Sequence, residues 1–220
     1  MNLLALETAN VIPTACLLSR GTVVRRWQGS PRPGAHAVLR GVREMLDAEG
    51  FGFASLDSVA CGRGPGAFTG VRLGLALTQG VALGIGCPVV AVSELAALAW
   101  RTHHEHGWRR VVACLDARQG KVYWAAYECD DGTLRALVQE AIAKPDEINL
   151  MPGEWTFAGS GVPLLAVGNR WEHDSGLAPD AEAIAALATR KIARGEVLPA
   201  VAIEPAYLRN RVATPRSKRV

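Results

Sequence analysis

The sequence predicts an α/β fold of two lobes, each built on a mixed β-sheet. Three observations lead to this expectation. Three short apolar segments open the chain, helices and strands then alternate, and the second half begins with a similar pair of strand-like segments. The chain has 220 residues, of which 49% are hydrophobic, so it is long enough to bury a large core.

The first half of the sequence contains three strands, then helix, strand, helix and strand. Pro13 and the pair Arg20 and Gly21 separate the first three strands, which indicates an antiparallel meander. This order differs from strict alternation of strand and helix, and it matches the first lobe of the ribonuclease H and actin-like architecture. We predict strands at 2–6, 14–18, 22–27, 56–61 and 88–92, and helices at 36–48, 68–83 and 94–103, the last capped by Ser93.

The second half of the sequence begins in a similar way and then becomes less regular. Two strand-like segments at 111–116 and 121–128 are joined by four residues. Further strands are predicted at 134–139 and 155–158, and an alanine-rich helix at 180–193. We therefore expect an N-terminal lobe at 1–103 that carries interface helices, and a smaller C-terminal lobe at 104–220 that ends in a basic tail.

The C-terminal tail is the strongest concentration of charge in the sequence. The net charge of +3 gives no strong general attraction for nucleic acid, but basic residues crowd the last dozen positions and no acid follows Glu204. Contact with RNA and a merely solvated chain end both remain open for this segment. Its basic residues are Arg209, Arg211, Arg216, Lys218 and Arg219.

The cysteines and the N-terminus indicate a reducing environment. The five cysteines show no zinc-binding or redox spacing, and several lie inside apolar segments. The N-terminus lacks the basic segment of a signal peptide, and no uncharged apolar stretch has the length and flanks of a membrane span. We therefore expect a cytoplasmic protein that does not contact a membrane.

Residues 61–74 read CGRGPGAFTGVRLG, a glycine-rich turn between a predicted strand and a predicted helix. A Walker A phosphate loop requires a lysine and then a hydroxyl residue after its last glycine. Here Val71 and Arg72 follow Gly70, so the turn is not a Walker A loop.

A second interpretation of this turn is a dinucleotide-binding loop. The segment 62–67 fits the pattern G-x-G-x-x-[GA], and Glu94 would bind the ribose. That acid lies farther along the chain than the fingerprint requires, and three antiparallel strands come first. A dinucleotide-binding module using Gly62 to Ala67 is therefore kept as an alternative.

The helix that follows this turn is apolar nearly all round and carries glycine along one third of its circumference. A helix of this kind is buried nearly all round, so one side packs on the sheet and the other requires a second cover. An interior glycine costs about 1 kcal/mol relative to alanine, and we expect close approach by a partner helix to offset that cost. Packing by the chain's own helix at 36–48 is the alternative. The glycines are Gly66, Gly70, Gly74, Gly80 and Gly84.

The glycine-rich turn closely resembles the signature of the TsaB (YeaZ) family. Two further segments agree with that family. LDARQGKVYWAAY at 115–127 resembles its Asp-Ala-Arg and Val-Tyr hairpin, and EPAYLRN at 204–210 resembles its C-terminal Tyr-Leu-Arg segment. The resemblance covers nearly the whole chain and implies an actin-like α/β fold of two ribonuclease H-like lobes with mixed sheets.

The resemblance implies a role in making threonylcarbamoyladenosine in the anticodon loop of tRNAs that read ANN codons. It implies a non-catalytic subunit that pairs with and activates the catalytic paralogue TsaD, is joined by the ATPase TsaE, and forms a homodimer when the partner is absent. The tRNA would be contacted indirectly or through the basic tail, and no cofactor is expected.

The predicted partner surface combines the helix at 35–46 with the start and glycine-bearing face of the helix at 68–81. The first helix has apolar residues at helical spacing, and the second lacks side-chain bulk on one face. The assigned residues are Ala35, His36, Val38, Leu39, Val42, Met45, Leu46, Gly66, Phe68, Thr69, Gly70, Leu73, Gly74, Leu77 and Val81.

The two turns that bind phosphate and magnesium in active actin-like phosphotransferases are altered in this sequence. The first turn, at 7–10, has glutamate where aspartate is expected and alanine where glycine is expected. We therefore predict no catalytic residue, and an active ATPase or kinase of the same fold is the alternative. Candidates for contacts to a ligand or nucleotide in the cleft are Glu7, Thr8, Arg63, Asp116 and Arg118.

The metal ligands of the catalytic paralogue have no counterpart in this chain. Two histidines four residues apart share one helix face and bind one ion in that paralogue. Glu94 and Leu98 stand in the equivalent stretch here, so we expect no metal. A cluster of histidines at 103, 104 and 106 lies at a predicted helix end, where histidines commonly bond the last carbonyl groups, and metal binding is the alternative.

Overall fold

The computed structural model describes residues 1–130, 132–165 and 171–208, and they form two five-stranded sheets and four α-helices. The predicted basic tail begins at Arg209 and lies outside the described residues, as do the last two residues of the EPAYLRN segment. The mixed α/β architecture expected from the sequence is confirmed.

The first sheet has the strand order β3-β2-β1-β4-β5. The first three strands form the predicted antiparallel meander, and β4 and β5 extend it with strands parallel to β1. The predicted order of elements in this half is therefore confirmed. The elements are β1 (Asn2–Glu7), β2 (Thr14–Ser19), β3 (Thr22–Gln28), α1 (Ala35–Ala48), β4 (Ser58–Gly62), α2 (Phe68–Ile85), β5 (Val89–Val92) and α3 (Glu94–His106).

The second sheet has the order β10-β9-β6-β7-β8 and repeats the plan of the first. A meander of β6, β7 and β8 is extended by two short strands parallel to β6. The sequence did not predict β10, because two residues carry no recognisable periodicity. The elements are β6 (Arg110–Asp116), β7 (Val122–Asp130), β8 (Thr133–Ala143), β9 (Thr156–Ala158), β10 (His173–Asp174) and α4 (Ala181–Ala193).

Helix α3 begins where the sequence predicted. The Ser93 hydroxyl accepts hydrogen bonds from the backbone N–H groups of Leu95 (3.1 Å) and Ala96 (3.2 Å), which satisfies two donors of the first turn. The helix runs to His106, three residues beyond the predicted end, and stops at Gly107 in the left-handed conformation.

Helix α4 comes from the second half of the chain but packs against the first sheet. Its apolar face, which includes Ile184, joins a core that contains Leu3 of β1 and Val90 of β5. Arg26 of β3 adds two hydrogen bonds to the carboxylate of Glu182, at 2.5 and 2.7 Å. The division into domains at residue 103 remains a prediction, but the layers around the first sheet include residues from both sides of it.

Helix α2 has 18 residues, and its length and composition would be sufficient to cross a membrane. Core helices of water-soluble proteins pass the same test. A third of the helix is buried inside the chain, and its partly uncovered surface carries Phe68 and Leu83, which are 49% and 60% exposed. This uncovered apolar surface is the most conspicuous exposed feature among the described helices.

Candidate functional site

The glycine-rich turn between β4 and α2 packs against the turn that follows β1. The Thr8 hydroxyl donates a hydrogen bond to the Gly70 carbonyl oxygen (2.7 Å), and a Cβ on Gly70 would collide with the Thr8 carbonyl group. A Cβ on Gly74 would lie 2.6 Å from the Thr8 hydroxyl oxygen, and one on Gly66 would lie 3.0 Å from the Ala9 Cβ. The expected reason for these glycines, approach by a partner helix, is therefore wrong for Gly70 and Gly74, because the chain's own turn occupies that space.

The later glycines of the same helix are open to solvent. A Cβ on Gly80 or on Gly84 would meet nothing within 4 Å. Both lie on an exposed strip at spacings of three or four residues, which places its members on one side of the helix. We call this strip the α2 face; it consists of Phe68, Thr69, Arg72, Ala76, Gly80, Leu83 and Gly84.

The residues predicted for the partner surface divide into buried and exposed sets. The buried set belongs to a core that α1 and α2 share with the first sheet, and it does not present its side chains to a partner. The residues in the chain's own core are Val38, Val42, Met45, Leu46 and Leu77, with Leu73 and Val81 packed partly buried against it. The exposed residues are Ala35, His36, Leu39, Phe68 and Thr69.

A strap formed by residues 197–208 returns from α4 to the first sheet and ends at the glycine-rich turn. Leu198 and Val89 exchange two backbone hydrogen bonds of 2.9 Å. The Ala206 N–H donates to the Arg63 carbonyl oxygen (2.8 Å). The EPAYLRN segment, found in the sequence by resemblance, therefore ends its described part beside the first motif.

Arg72 connects the strap to the start of the α2 face. Its guanidinium group lies 3.7 Å from the centre of the Phe68 ring and donates a hydrogen bond to the Tyr207 hydroxyl (2.9 Å). Val201 of the strap, which packs beside α2, is 73% exposed. The sequence analysis missed Tyr207 and Val201 as parts of this surface, because their proximity to α2 is a long-range contact.

A cleft of about 910 Å³ opens between the glycine-rich turn and the β6–β7 turn. Glu7 and Arg63 lie outside its lining: Glu7 is fully buried, and the Arg63 guanidinium is 3.5 Å from the carboxylate of Glu140 on β8. The structure therefore places only some of the residues predicted to contact a ligand in the cleft. The predicted residues that line the cleft are Thr8, Asp116 and Arg118.

The β6–β7 turn is closed by its own ion pair. One oxygen of the Asp116 carboxylate accepts a hydrogen bond from the Arg118 backbone N–H (2.7 Å), and the other accepts one from the Arg118 guanidinium (3.1 Å). Arg118 and Gln119 both have positive φ angles. The Asp116 carboxylate is therefore bonded within its own turn.

Two glutamates are fully buried near the glycine-rich turn, and of these Glu94 lines the cleft. Glu7 Oε1 accepts hydrogen bonds from the backbone N–H groups of Ala9 (2.5 Å) and Asn10 (3.0 Å) and so shapes the turn after β1. Burial raises the pKa of Glu7 to about 8. Burial, followed by the charge of Glu7, raises the pKa of Glu94 well above its ordinary value. For both side chains, burial favours the neutral carboxyl group over the carboxylate.

The loop proposed for a dinucleotide is filled by the chain's own side chains. The carboxyl group of Glu94 lies directly against Gly62, and a Cβ added there would collide with it. Gly64 is backed by Val71 at 3.5 Å. A pyrophosphate therefore has no space beside Gly62.

The histidines at the end of α3 contact neighbouring carbonyl and carboxylate groups. This agrees with the expectation that histidines at a helix end bond nearby carbonyl groups. In the part of the chain that the structure describes, no group of three or more His, Cys, Asp and Glu side chains is arranged to hold a metal ion. The contacts are His103 Nδ1 to the Trp108 carbonyl oxygen (2.9 Å), His104 Nδ1 to the Trp100 carbonyl oxygen (3.0 Å) and His106 Nε2 to Asp174 Oδ2 (3.0 Å).

The pH dependence of Glu7 gives the first prediction. An acid whose pKa is raised on folding stabilises the folded chain at low pH, and that contribution is lost as pH rises from about 4.5 towards 8. Gln is isosteric with the protonated acid, so Glu7→Gln should reduce the fall in unfolding free energy between pH 5 and pH 8. Urea unfolding across this range measures it, with the exposed Glu44→Gln as control. An unchanged slope in Glu7→Gln would show that Glu7 ionises normally.

The repeated sheets and the cleft between them define an actin-like protein of two mixed-sheet lobes. Component A of (R)-2-hydroxyglutaryl-CoA dehydratase from Acidaminococcus fermentans has the same fold, with a TM-score of 0.51 over 88% of this chain and 99% of that chain at 11% identity. The model of the family described as TsaD, tRNA N6-adenosine threonylcarbamoyltransferase, matches residues 33–169.

The relatives identify the family within this class. The tRNA threonylcarbamoyladenosine biosynthesis protein TsaB of Escherichia coli K12 is 35% identical, covering 97% of this chain and 96% of that protein. The protein of the same name from Haemophilus influenzae is 32% identical, covering 96% and 95%. YeaZ from Pseudomonas aeruginosa has a TM-score of 0.87 at 37% identity, covering 94% of this chain and 99% of that chain. The chain belongs to the TsaB (YeaZ) family, as its glycine-rich motif predicted.

Proposed function

We propose that this chain is a non-catalytic subunit of the assembly that transfers threonylcarbamoyl to adenosine in the anticodon loop of tRNAs that read ANN codons. Membership of the TsaB family supports a role in tRNA threonylcarbamoyladenosine biosynthesis. In this proposal a TsaD-like protein performs the transfer, a TsaE-like ATPase joins the pair, and the assembly works in the cytoplasm. The tRNA is contacted through the partner or through the basic tail.

The α2 face is the observation that carries the proposal of a partner. Leu83 and Phe68 are exposed apolar side chains, and Gly80 and Gly84 leave the helix backbone uncovered between and beside them. Contiguous exposed apolar surface marks an interaction site, and glycine allows another backbone to approach closely. The exposed residues of α1, including Leu39, would extend the contact at its edge.

The TsaD family model suggests what kind of partner fits this face. The match over residues 33–169 includes α1 and α2, so a TsaD-like protein presents corresponding helices. Two similar folds can pair through equivalent helices about an approximate twofold axis, as identical subunits do about an exact one. A second copy of this chain would use the same face when the partner is absent, which accounts for the proposed homodimer.

The state of the cleft supports a non-catalytic role. The glycine-rich turn is packed against the turn after β1, and the Asp116 carboxylate is bonded to Arg118. The side chain that replaces the expected aspartate, Glu7, is buried and bonded to its own turn. These contacts occupy the two turns that would otherwise hold phosphate and magnesium.

Reconstitution tests the proposal. The isolated chain should give no threonylcarbamoyl transfer to tRNA and no magnesium-dependent ATP turnover above background. Adding it to the TsaD-like and TsaE-like proteins of the same organism should raise transfer at least tenfold. Chromatographic assay of the modified nucleoside and of ADP measures both activities. ATP turnover by the well-folded chain alone would instead favour the ATPase alternative.

A further inference from the structure

The cleft between the two sheets ends at a buried carboxyl group that lacks a partner. Glu94 lines the cleft, its side chain is fully buried, and neither carboxyl oxygen has a hydrogen-bond partner among the described residues. Glu7, which acts on it electrostatically, also leaves its Oε2 atom without a partner there. Buried polar groups are normally hydrogen-bonded, so this arrangement indicates that a ligand completes it.

The groups that act on Glu94 are acidic. Glu7 at the end of β1 and Asp180, the N-cap of α4, both disfavour a charge on Glu94. The thiol of Cys61 on β4 is buried and neutral, since burial raises its pKa to about 12. Asp180 forms an ion pair with Arg101, whose Nε atom lies 3.3 Å from Asp180 Oδ2. Glu94 therefore has two acidic neighbours, of which Asp180 is contacted by a cation.

Two of the three described arginines that line the cleft make other contacts. Arg118 is bonded to Asp116, and Arg72 is bonded to Tyr207 and stacked on Phe68. Completing the hydrogen bonds of Glu94 with one of them would require breaking these contacts. A cation from elsewhere meets no such cost.

We propose that the base of the cleft is a binding site for a guanidinium or primary ammonium group, held by the unpartnered carboxyl oxygens of Glu94. Such groups carry several N–H donors and form strong charge-assisted hydrogen bonds with carboxylates. In the empty site, burial favours the protonated form of Glu94. When the cation enters, the O–H bond of one carboxyl group breaks and its proton leaves to solvent. The resulting carboxylate then accepts N–H hydrogen bonds, so the net charge of the site is unchanged.

Two sources can supply such a cation. One is the chain itself: Leu208 lines the cleft, and the sequence continues from it with Arg209 and Arg211 and no acid to the end. The other is a small organic cation from solution. Both would offer the same donor chemistry to Glu94, and the experiment distinguishes them.

Isothermal titration calorimetry of the full-length chain with ethylguanidinium chloride tests the site. The apparent Kd should fall by up to tenfold for each unit that the pH rises, because a proton leaves the site when the cation binds. Tetramethylammonium chloride, which has the same charge but no N–H donor, should not bind. Glu94→Gln preserves the shape of the protonated acid and should abolish the binding, with circular dichroism as the check of folding.

A variant carrying Arg209→Gln and Arg211→Gln separates the two sources. If the tail supplies the cation, this variant binds ethylguanidinium more tightly than the wild type, because its tail no longer competes for the site. If a small molecule supplies it, the variant and the wild type bind ethylguanidinium equally. Either result supports the site. The proposal is overturned if neither chain binds the probe, or if folded Glu94→Gln binds it unchanged. If Glu94→Gln does not fold, the wild type is titrated with ethylguanidinium in phosphate and in Tris buffer, and the difference in heat counts the protons released. If no proton is released on binding, the proposal is overturned.

Discussion

Gly70→Ala should lower the free energy of unfolding by about 2 kcal/mol, the range expected when atoms are forced into a closely packed site. The new methyl group would collide with the Thr8 carbonyl group and lie 2.9 Å from the Ala9 Cα. These are backbone atoms, so the turn must move and the hydrogen bond from Thr8 to the Gly70 carbonyl (2.7 Å) must weaken. The better helix propensity of alanine offsets at most about 1 kcal/mol of this loss. Urea unfolding measures the difference.

Gly80→Ala is the matched control for this change. It replaces glycine by alanine in the same helix, at a position where the methyl group meets nothing within 4 Å. Only helix propensity then acts, so stability should rise by about 0.5–1 kcal/mol. Equal effects of the two substitutions would show that Gly70 and Gly80 have similar surroundings, contrary to the packing of the glycine-rich turn on the turn after β1.

Ala76→Glu should weaken binding to the TsaD-like partner on the order of 100-fold, because an unpaired charge buried in an interface costs about 3 kcal/mol. Ala76 lies at the middle of the α2 face, between Arg72 and Gly80, and is exposed in the isolated chain. The substitution should therefore leave the stability of this chain nearly unchanged while it desolvates a carboxylate in the complex. Calorimetric titration of the partner measures the Kd.

Ala193→Glu controls for the added charge. Ala193 is an exposed alanine at the end of α4, outside the α2 face. Its replacement should leave the Kd for the partner within about twofold, since a distant surface charge changes mainly the association rate. If Ala76→Glu and Ala193→Glu weaken binding equally, or if neither does, the partner docks elsewhere.

The order of strands and helices could be predicted because its signals are local. Turn residues such as Pro13 and Gly21 separate the strands of the meander, and Ser93 caps α3 within its own first turn. The glycine-rich motif also identified the family, which the relatives confirm. Periodicity over a few residues was sufficient for each of these inferences.

The surroundings of the glycines could not be predicted because they depend on distant parts of the chain. Gly70 and Gly80 look alike in sequence, but Gly70 contacts a turn 62 positions earlier, whereas a Cβ added to Gly80 would meet nothing within 4 Å. A glycine has no side chain whose polarity would reveal its neighbour. The same limit applies to α4, whose apolar pattern predicted a helix but not the sheet that it covers.

The burial of Glu94 could not be predicted from the sequence either. An acid directly after an N-cap serine is typical of the first turn of a helix, where it usually interacts with the helix dipole in solvent. Here β4, β1 and the N-terminus of α4 enclose that turn, so the carboxyl group lies in the interior. Only the meeting of three elements from separate parts of the chain reveals this environment.

Hydrogen exchange with mass spectrometry, with and without the TsaD-like partner, tests most directly whether the α2 face is the docking surface. The account predicts that backbone amides of residues 76–85 exchange more slowly in the complex, while amides of the edge strand β8 keep their rates. Slower exchange confined to β8 or to other elements, with residues 76–85 unchanged, would contradict it.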